Sequence, residues 1–111
     1  MTNLHDVQES VRRQLENSSW FGQDATVDLT HAVLGVAEEA GELAGLCKRV
    51  CFRSKERSDE EWIGEMGDVL WYLVAAATIK GFDLESVWQY NCAKLEERHS
   101  VGKKGRDTWE G

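Results

Sequence analysis

Not one proline occurs in this chain of 111 residues, and apolar side chains recur along it at intervals of three and four. Proline inside a helix removes a hydrogen bond and clashes with the preceding turn, so its absence leaves long helices uninterrupted. A three-and-four spacing places side chains on one helical stripe. Both features predict an all-α, four-helix bundle-like fold. They argue against a turn-rich β structure or a disordered chain.

Four helices are expected. The first runs from about Leu4 to Asn17, with Leu4, Val7, Val11 and Leu15 on its stripe. The segment "SSWFGQDATVD" reads as a connection carrying Trp20 and Phe21. A second helix begins near Thr26 or Asp28 and ends near Val50, with Leu29, Val33, Val36, Ala40, Leu43, Cys47 and Val50 aligned. After the charged connector "FRSKERSD", Ser58-x-x-Glu61 has the form of a capping box opening a third helix. Its stripe is Trp62, Met66, Val69, Leu73 and Ala76, and Lys80-Gly81 suits its end. Asp83 is a plausible N-cap for a fourth helix through Leu84, Val87 and Leu95 to about His99. Residues 1–111 read as a single domain with a core at about 26–100, and 100–111 as a flexible basic tail containing Lys103, Lys104 and Arg106.

A formal charge of −7 disfavours binding to nucleic acid polymers or anionic membranes. No apolar run is long enough to span a bilayer, and "MTNLHDVQES" lacks the apolar core of a signal peptide, which makes a cytoplasmic location the expectation. Cys47, Cys51 and Cys92 are expected as small buried apolar side chains. Five tryptophans are many for this length and suggest an interface or ligand pocket; Trp62, Met66 and Trp88 fit core or subunit contacts.

Two acidic clusters carry the chemistry. Glu38-Glu39-x-x-Glu42 lies within the second helix and Glu65-x-x-Asp68 within the third. With ~100° per residue and the apolar stripe at zero, Glu39 falls ~80° to one side, Glu42 ~140°, and Glu38 roughly opposite. Glu65 lies ~60° and Asp68 ~120° from their stripe. Lysine and arginine are missing at the i+4 positions: 43 and 46 are Leu, 69 is Val and 72 is Tyr. Acids that flank a core without such partners need cations or protons. Hard oxygen donors suit Mg²⁺ or Mn²⁺, and such sites usually hold a phosphate chain. Gly35, Gly41, Gly45, Gly64 and Gly67 interrupt the two helices. They point equally to close packing or to room for a ligand.

The segments "GVAEEAGELAGL", "GEMGDVLWYLVA" and "NCAKLEER" together resemble the MazG-like, all-α nucleoside triphosphate pyrophosphohydrolases over roughly residues 29–100. The shared pattern is Glu-Glu-x-x-Glu, then Glu-x-x-Asp, then Asn91-x-x-Lys94-x-x-x-Arg98. The resemblance implies hydrolysis of a (deoxy)nucleoside triphosphate between its α and β phosphates, releasing monophosphate and pyrophosphate. Glu39, Glu42, Glu65 and Asp68 would be Mg²⁺ ligands, and Glu38 a general base or ligand to an additional ion. It also implies a homodimer or homotetramer, with sites completed near a subunit interface.

Lys94 and Arg98 stand one turn apart on the fourth helix, with Asn91 a turn before. They could hold the β and γ phosphates, or form a solvated basic face paired with Glu96 and Glu97. For the base, Tyr72 is the first stacking candidate and Trp20 the second. Each could equally be core. His31 shares the polar line of Glu38 and Glu42 and could touch base or sugar, although a surface histidine fits as well. Two other readings stay open: the related phosphoribosyl-ATP pyrophosphohydrolase, and a noncatalytic helical interaction module with the acids as a docking face.

Overall fold

In α1 (Leu4–Glu16) the first turn closes reciprocally. Asn3 Oδ1 accepts the Asp6 N–H at 2.9 Å, and the Asp6 carboxylate accepts the Asn3 N–H. This capping box fixes where the first helix of the computed structural model begins. The description covers residues 1–53 and 56–105, without the side chains of 101–105. Three further helices follow: α2 (Ala25–Arg53), α3 (Asp59–Lys80) and α4 (Leu84–Gly105). Every regular element among the described residues is helical, as expected.

Several boundaries differ from expectation for local reasons. α2 begins at Ala25 because the Asp24 carboxylate accepts the Val27 N–H at 2.9 Å and so caps the helix. It continues past Val50 to Arg53, since no glycine or proline stops it. α3 opens on the expected capping box, Glu61 N–H donating to Ser58 Oγ and Ser58 N–H to the Glu61 carboxylate. It closes on Gly81, whose φ of 85° lies in the left-handed region that favours glycine. α4 runs to Gly105 and not His99, so the expected tail starts as helical backbone. Its Arg106 and the remaining terminal residues lie outside the described residues, as do the side chains of Lys103 and Lys104.

The core gathers at one end of the molecule. Val11 and Leu15 of α1, Ala32 of α2, and Val74 and Ala75 of α3 are buried together, with Trp20, Phe21, Trp71, Ile79 and Leu84 packed around them. Gln8 crosses this junction. Its amide nitrogen donates to Thr78 Oγ1 at 3.1 Å and to the Phe82 carbonyl at 2.9 Å, while its oxygen accepts the Leu84 N–H at 2.9 Å. One buried side chain thus ties α1 to the α3–α4 turn and satisfies the first N–H of α4.

α2 and α3 run antiparallel, but on faces turned from the expected ones. The buried residues of α2 are Asp28, Ala32, Gly35 and Leu46, whereas Val33 is 51% exposed and Cys47 is exposed. The contact line is therefore rotated by ~80° from the stripe of large apolar side chains. On α3 the same turn leaves Met66 and Leu73 exposed. The reason is steric: Ala32 and Gly35 let α3 approach closely, which the larger Val33 and Val36 would prevent. The cysteines depart from expectation for the same reason, Cys47 and Cys51 being exposed and Cys92 half-buried.

Among the described residues α4 packs on α1 and α3 and not on α2. The radius of gyration is 17.2 Å, against roughly 13 Å for a compact domain of this length. Leu70 and Leu73 are each 53% exposed and Trp88 58%. With Leu4, Leu84, Val87, Tyr90, Asn91 and Lys94 they line a groove of about 570 Å³.

Gln8→Ala is expected to lower stability by about 1–3 kcal/mol, because it removes three hydrogen bonds from a partly buried junction and leaves the Phe82 carbonyl and Leu84 N–H without this partner. Chemical denaturation of the two proteins measures this directly.

Candidate metal and nucleotide site

The rotation of α2 has its main effect at Glu39. By ~100° steps Glu39 lies within about 20° of the buried line, Glu42 about 45° from it and Glu38 about 85°. The Glu39 side chain is accordingly half-buried against α3, where Glu65 and Asp68 stand one turn apart. One carboxylate oxygen from each of Glu39, Glu65 and Asp68 lies within 4.8 Å of the others. Glu42 falls outside this triad, yet its charge acts on Glu39. Two of the expected ligands on α3 and one on α2 thus converge, and the fourth flanks them.

Among the described residues no ion pair joins a lysine or arginine to these acids. The two ion pairs among the described residues join Arg12 to Glu9 and Arg57 to Glu61, the latter one turn before Glu65 on α3, and neither includes a member of the cluster. Partial burial, followed by the charges of Asp68, Glu38, Glu65 and Glu42, raises the Glu39 carboxyl above its usual range. The donor set fits a hard divalent cation. Three carboxylate oxygens within 4.8 Å of one another could be drawn onto one such cation by modest side-chain rotation.

Beside the acids stands a ladder of rings. Trp20 stacks on His31 with centroids 3.9 Å apart and planes within 3°. His31 faces Tyr72 at 6.5 Å and 22°, and Trp71 meets Tyr72 edge-on at 5.1 Å. The three aromatic residues singled out from the sequence therefore come together, from a loop, from α2 and from α3. His31, Leu34, Gly35, Glu38 and Tyr72 enclose a cavity of about 260 Å³. Gly35 is its floor: a Cβ there would collide with the Tyr72 ring. Of the five glycines within α2 and α3, Gly35 has the close approach that the sequence suggested. Gly41, Gly64 and Gly67 face open space within this chain.

Asp28 is a supporting residue that pattern reading missed. It is 5% exposed, and its carboxylate accepts the N–H groups of Gly22 at 3.1 Å and Gln23 at 3.2 Å. Gly22 has φ 102°, so the loop turns sharply there. This clamp holds the loop that lays Trp20 on His31. The available signal was an aspartate at the edge of an apolar helix, five and six residues after a glycine–glutamine pair. A sequence motif alone reads it as an ordinary first-turn acid.

Asn91, Lys94 and Arg98 lie elsewhere within one chain. They belong to α4, which does not touch α2, and Asn91 and Lys94 line the apolar groove on the opposite side of α3 from Asp68 and Tyr72. Arg98 is exposed one turn further on.

Residues 28–102 match the MazG nucleotide pyrophosphohydrolase domain family. The chain is also 31% identical over 84 residues to the Gene 37 protein of Mycobacterium phage L5, covering 71% of this chain and 73% of that protein. No solved structure matches it. The match spans both acidic clusters, His31 and Tyr72 of α2 and α3, and the polar run of α4. The chain belongs to the MazG nucleotide pyrophosphohydrolase domain family.

Proposed function

We propose that the protein is a Mg²⁺-dependent pyrophosphohydrolase that converts a (deoxy)nucleoside triphosphate to its monophosphate and pyrophosphate. The observation that carries this reading is the convergence of Glu39, Glu65 and Asp68 without a cationic partner, next to a ring-lined cavity of nucleobase size. Membership of a nucleotide pyrophosphohydrolase family supports the same class of reaction.

Glu39, Glu65 and Asp68 would hold Mg²⁺, or Mn²⁺ in its place, with Glu42 completing the shell from the adjoining turn of α2. Bound there, such an ion would supply positive charge for a phosphate chain and Lewis acidity that lowers the pKa of a water. The chain's own groups do the rest. The aromatic rings hold the base, and since the Tyr72 ring packs on Gly35, one turn before Glu39 on α2, a base stacked against Tyr72 directs its phosphates along the helix toward the acids. His31, Tyr72 and the loop bearing Trp20 also exclude water from one flank of that path.

Asn91, Lys94 and Arg98 serve the phosphates in this reading by reaching the acids of a second subunit. The exposed apolar face of α3 and the open groove beneath α4 supply a surface for such an association. A homodimer or homotetramer would cover Leu70, Leu73 and Trp88 while delivering the cations that the acidic cluster lacks. No described helix is long and apolar enough to cross a membrane.

Pyrophosphate release from a panel of nucleoside triphosphates with Mg²⁺ tests the assignment, and absence of turnover with every nucleotide and either ion overturns it. Asp68→Asn is expected to lower kcat by about two to three orders of magnitude, comparable to loss of a key transition-state charge group. Lys94→Ala is expected to raise KM with kcat largely retained, since it would hold phosphates in ground and transition states alike; steady-state kinetics separates the two parameters.

Glu39 gives a prediction about stability. Its carboxyl is raised in the folded protein, so folding favours its protonated form. That contribution is complete below the ordinary glutamate range and is lost as pH rises through the raised folded value. Glu39→Gln is therefore expected to melt higher than wild type at about pH 7.5 without divalent ions, with the difference closing near about pH 4, where both forms are uncharged. Mg²⁺ should raise the melting temperature of wild type and not of the variant. Thermal melts across pH, with and without the ion, check both statements.

A further inference from the structure

Glu38 was expected to act in chemistry, but its position suggests another task. It is exposed, lies outside the carboxylate triad, and lines the cavity between His31 and Tyr72. The two rings are 6.5 Å apart and tilted by only 22°. Both rings border the cavity that Glu38 lines, so a planar base entering it can stack on a ring face. Trp20, already stacked on the far side of His31, backs the slot.

Leu34 offers this slot an apolar wall, Gly35 a bare backbone floor, and Tyr72 and His31 its faces. Stacking of this kind tolerates any base, because every base has a π-face. Discrimination must come from the rim, and there Glu38 is the charged group. No hydrogen bond or ion pair of the described residues engages its carboxylate, which accepts hydrogen bonds and cannot donate them when ionised.

We propose that Glu38 reads the edge of the bound base, so that the slot selects bases bearing an exocyclic amino group and disfavours uracil and thymine. Cytosine N4, adenine N6 and guanine N2 each present N–H donors to a carboxylate. Uracil and thymine present a carbonyl oxygen at the corresponding position, which faces the carboxylate as like against like. A charge-assisted hydrogen bond is worth about 1.5–3 kcal/mol, or ~10- to 100-fold in affinity. This inference rests on the nucleotide-site reading above and adds the substrate class to it.

The test pairs turnover with binding, both on the full chain. kcat/KM for dCTP, dATP, dGTP, dUTP and dTTP is measured by pyrophosphate release, and the matching monophosphates are titrated by tryptophan fluorescence, for wild type and Glu38→Gln. At least one amino-bearing substrate should exceed both dUTP and dTTP by about tenfold or more in wild type. Glu38→Gln should shrink that ratio several-fold, because an amide both donates and accepts. Selective monophosphate binding without any hydrolysis supports the base-reading role and counts against pyrophosphohydrolysis alone. Equal or better use of dUTP or dTTP by wild type overturns the proposal. So does an equal fall in kcat for all bases in Glu38→Gln with monophosphate binding unchanged, which would return Glu38 to the chemical step.

Discussion

The close packing of α2 on α3 governs the rest of this molecule, and it depends on what is small. Ala32 and Gly35 are fully buried where the two helices meet, and the large apolar residues of α2 turn partly away. Helices that approach along such a line bring whatever follows on it into the same contact. One turn beyond Gly35 that residue is Glu39, which is driven against Glu65 and Asp68. The favourable burial at the apolar end thus holds together an electrostatically unfavourable end. The acids cannot separate without unpacking the core shared by Ala32, Val74 and Ala75. The carboxylate cluster is then a consequence of helix register, not of a specialised loop.

Much of this was legible in the sequence because it was local. The Ser58/Glu61 box and the Gly81 stop are short-range hydrogen-bonding devices, and both occur as read. The convergence of acids across two helices was also legible, since three-and-four spacing places each pair on one side. The direction in which each helix faces was not. α3 carries large apolar side chains on more than one side, so Met66 and Leu73 imitate a core stripe although α2 and α1 pack elsewhere. Side-chain size decided the contact, whereas hydropathy alone marks only which residues avoid water.

Long-range tethers were harder still. Gln8 looks like any polar residue of an amphipathic helix, yet it is 4% exposed and binds atoms 70 to 76 positions away. Asp28 was equally silent, since its partners are backbone N–H groups whose placement depends on the turn at Gly22. The run Asn91, Lys94 and Arg98 shows another limit. Its spacing defines a common helical face, but only the fold tells which neighbour that face meets. Within one chain that neighbour is not α2.

Gly35 has a consequence for how this pocket can diversify. A site floored by naked backbone cannot be retuned from beneath, because any replacement, even a methyl group, would displace the Tyr72 ring. Novel ligand preferences among descendants of this scaffold must then arise at the walls, chiefly positions 31, 34 and 38. The floor stays frozen while the walls remain free to vary, and that division separates the inherited frame from its adaptable margin.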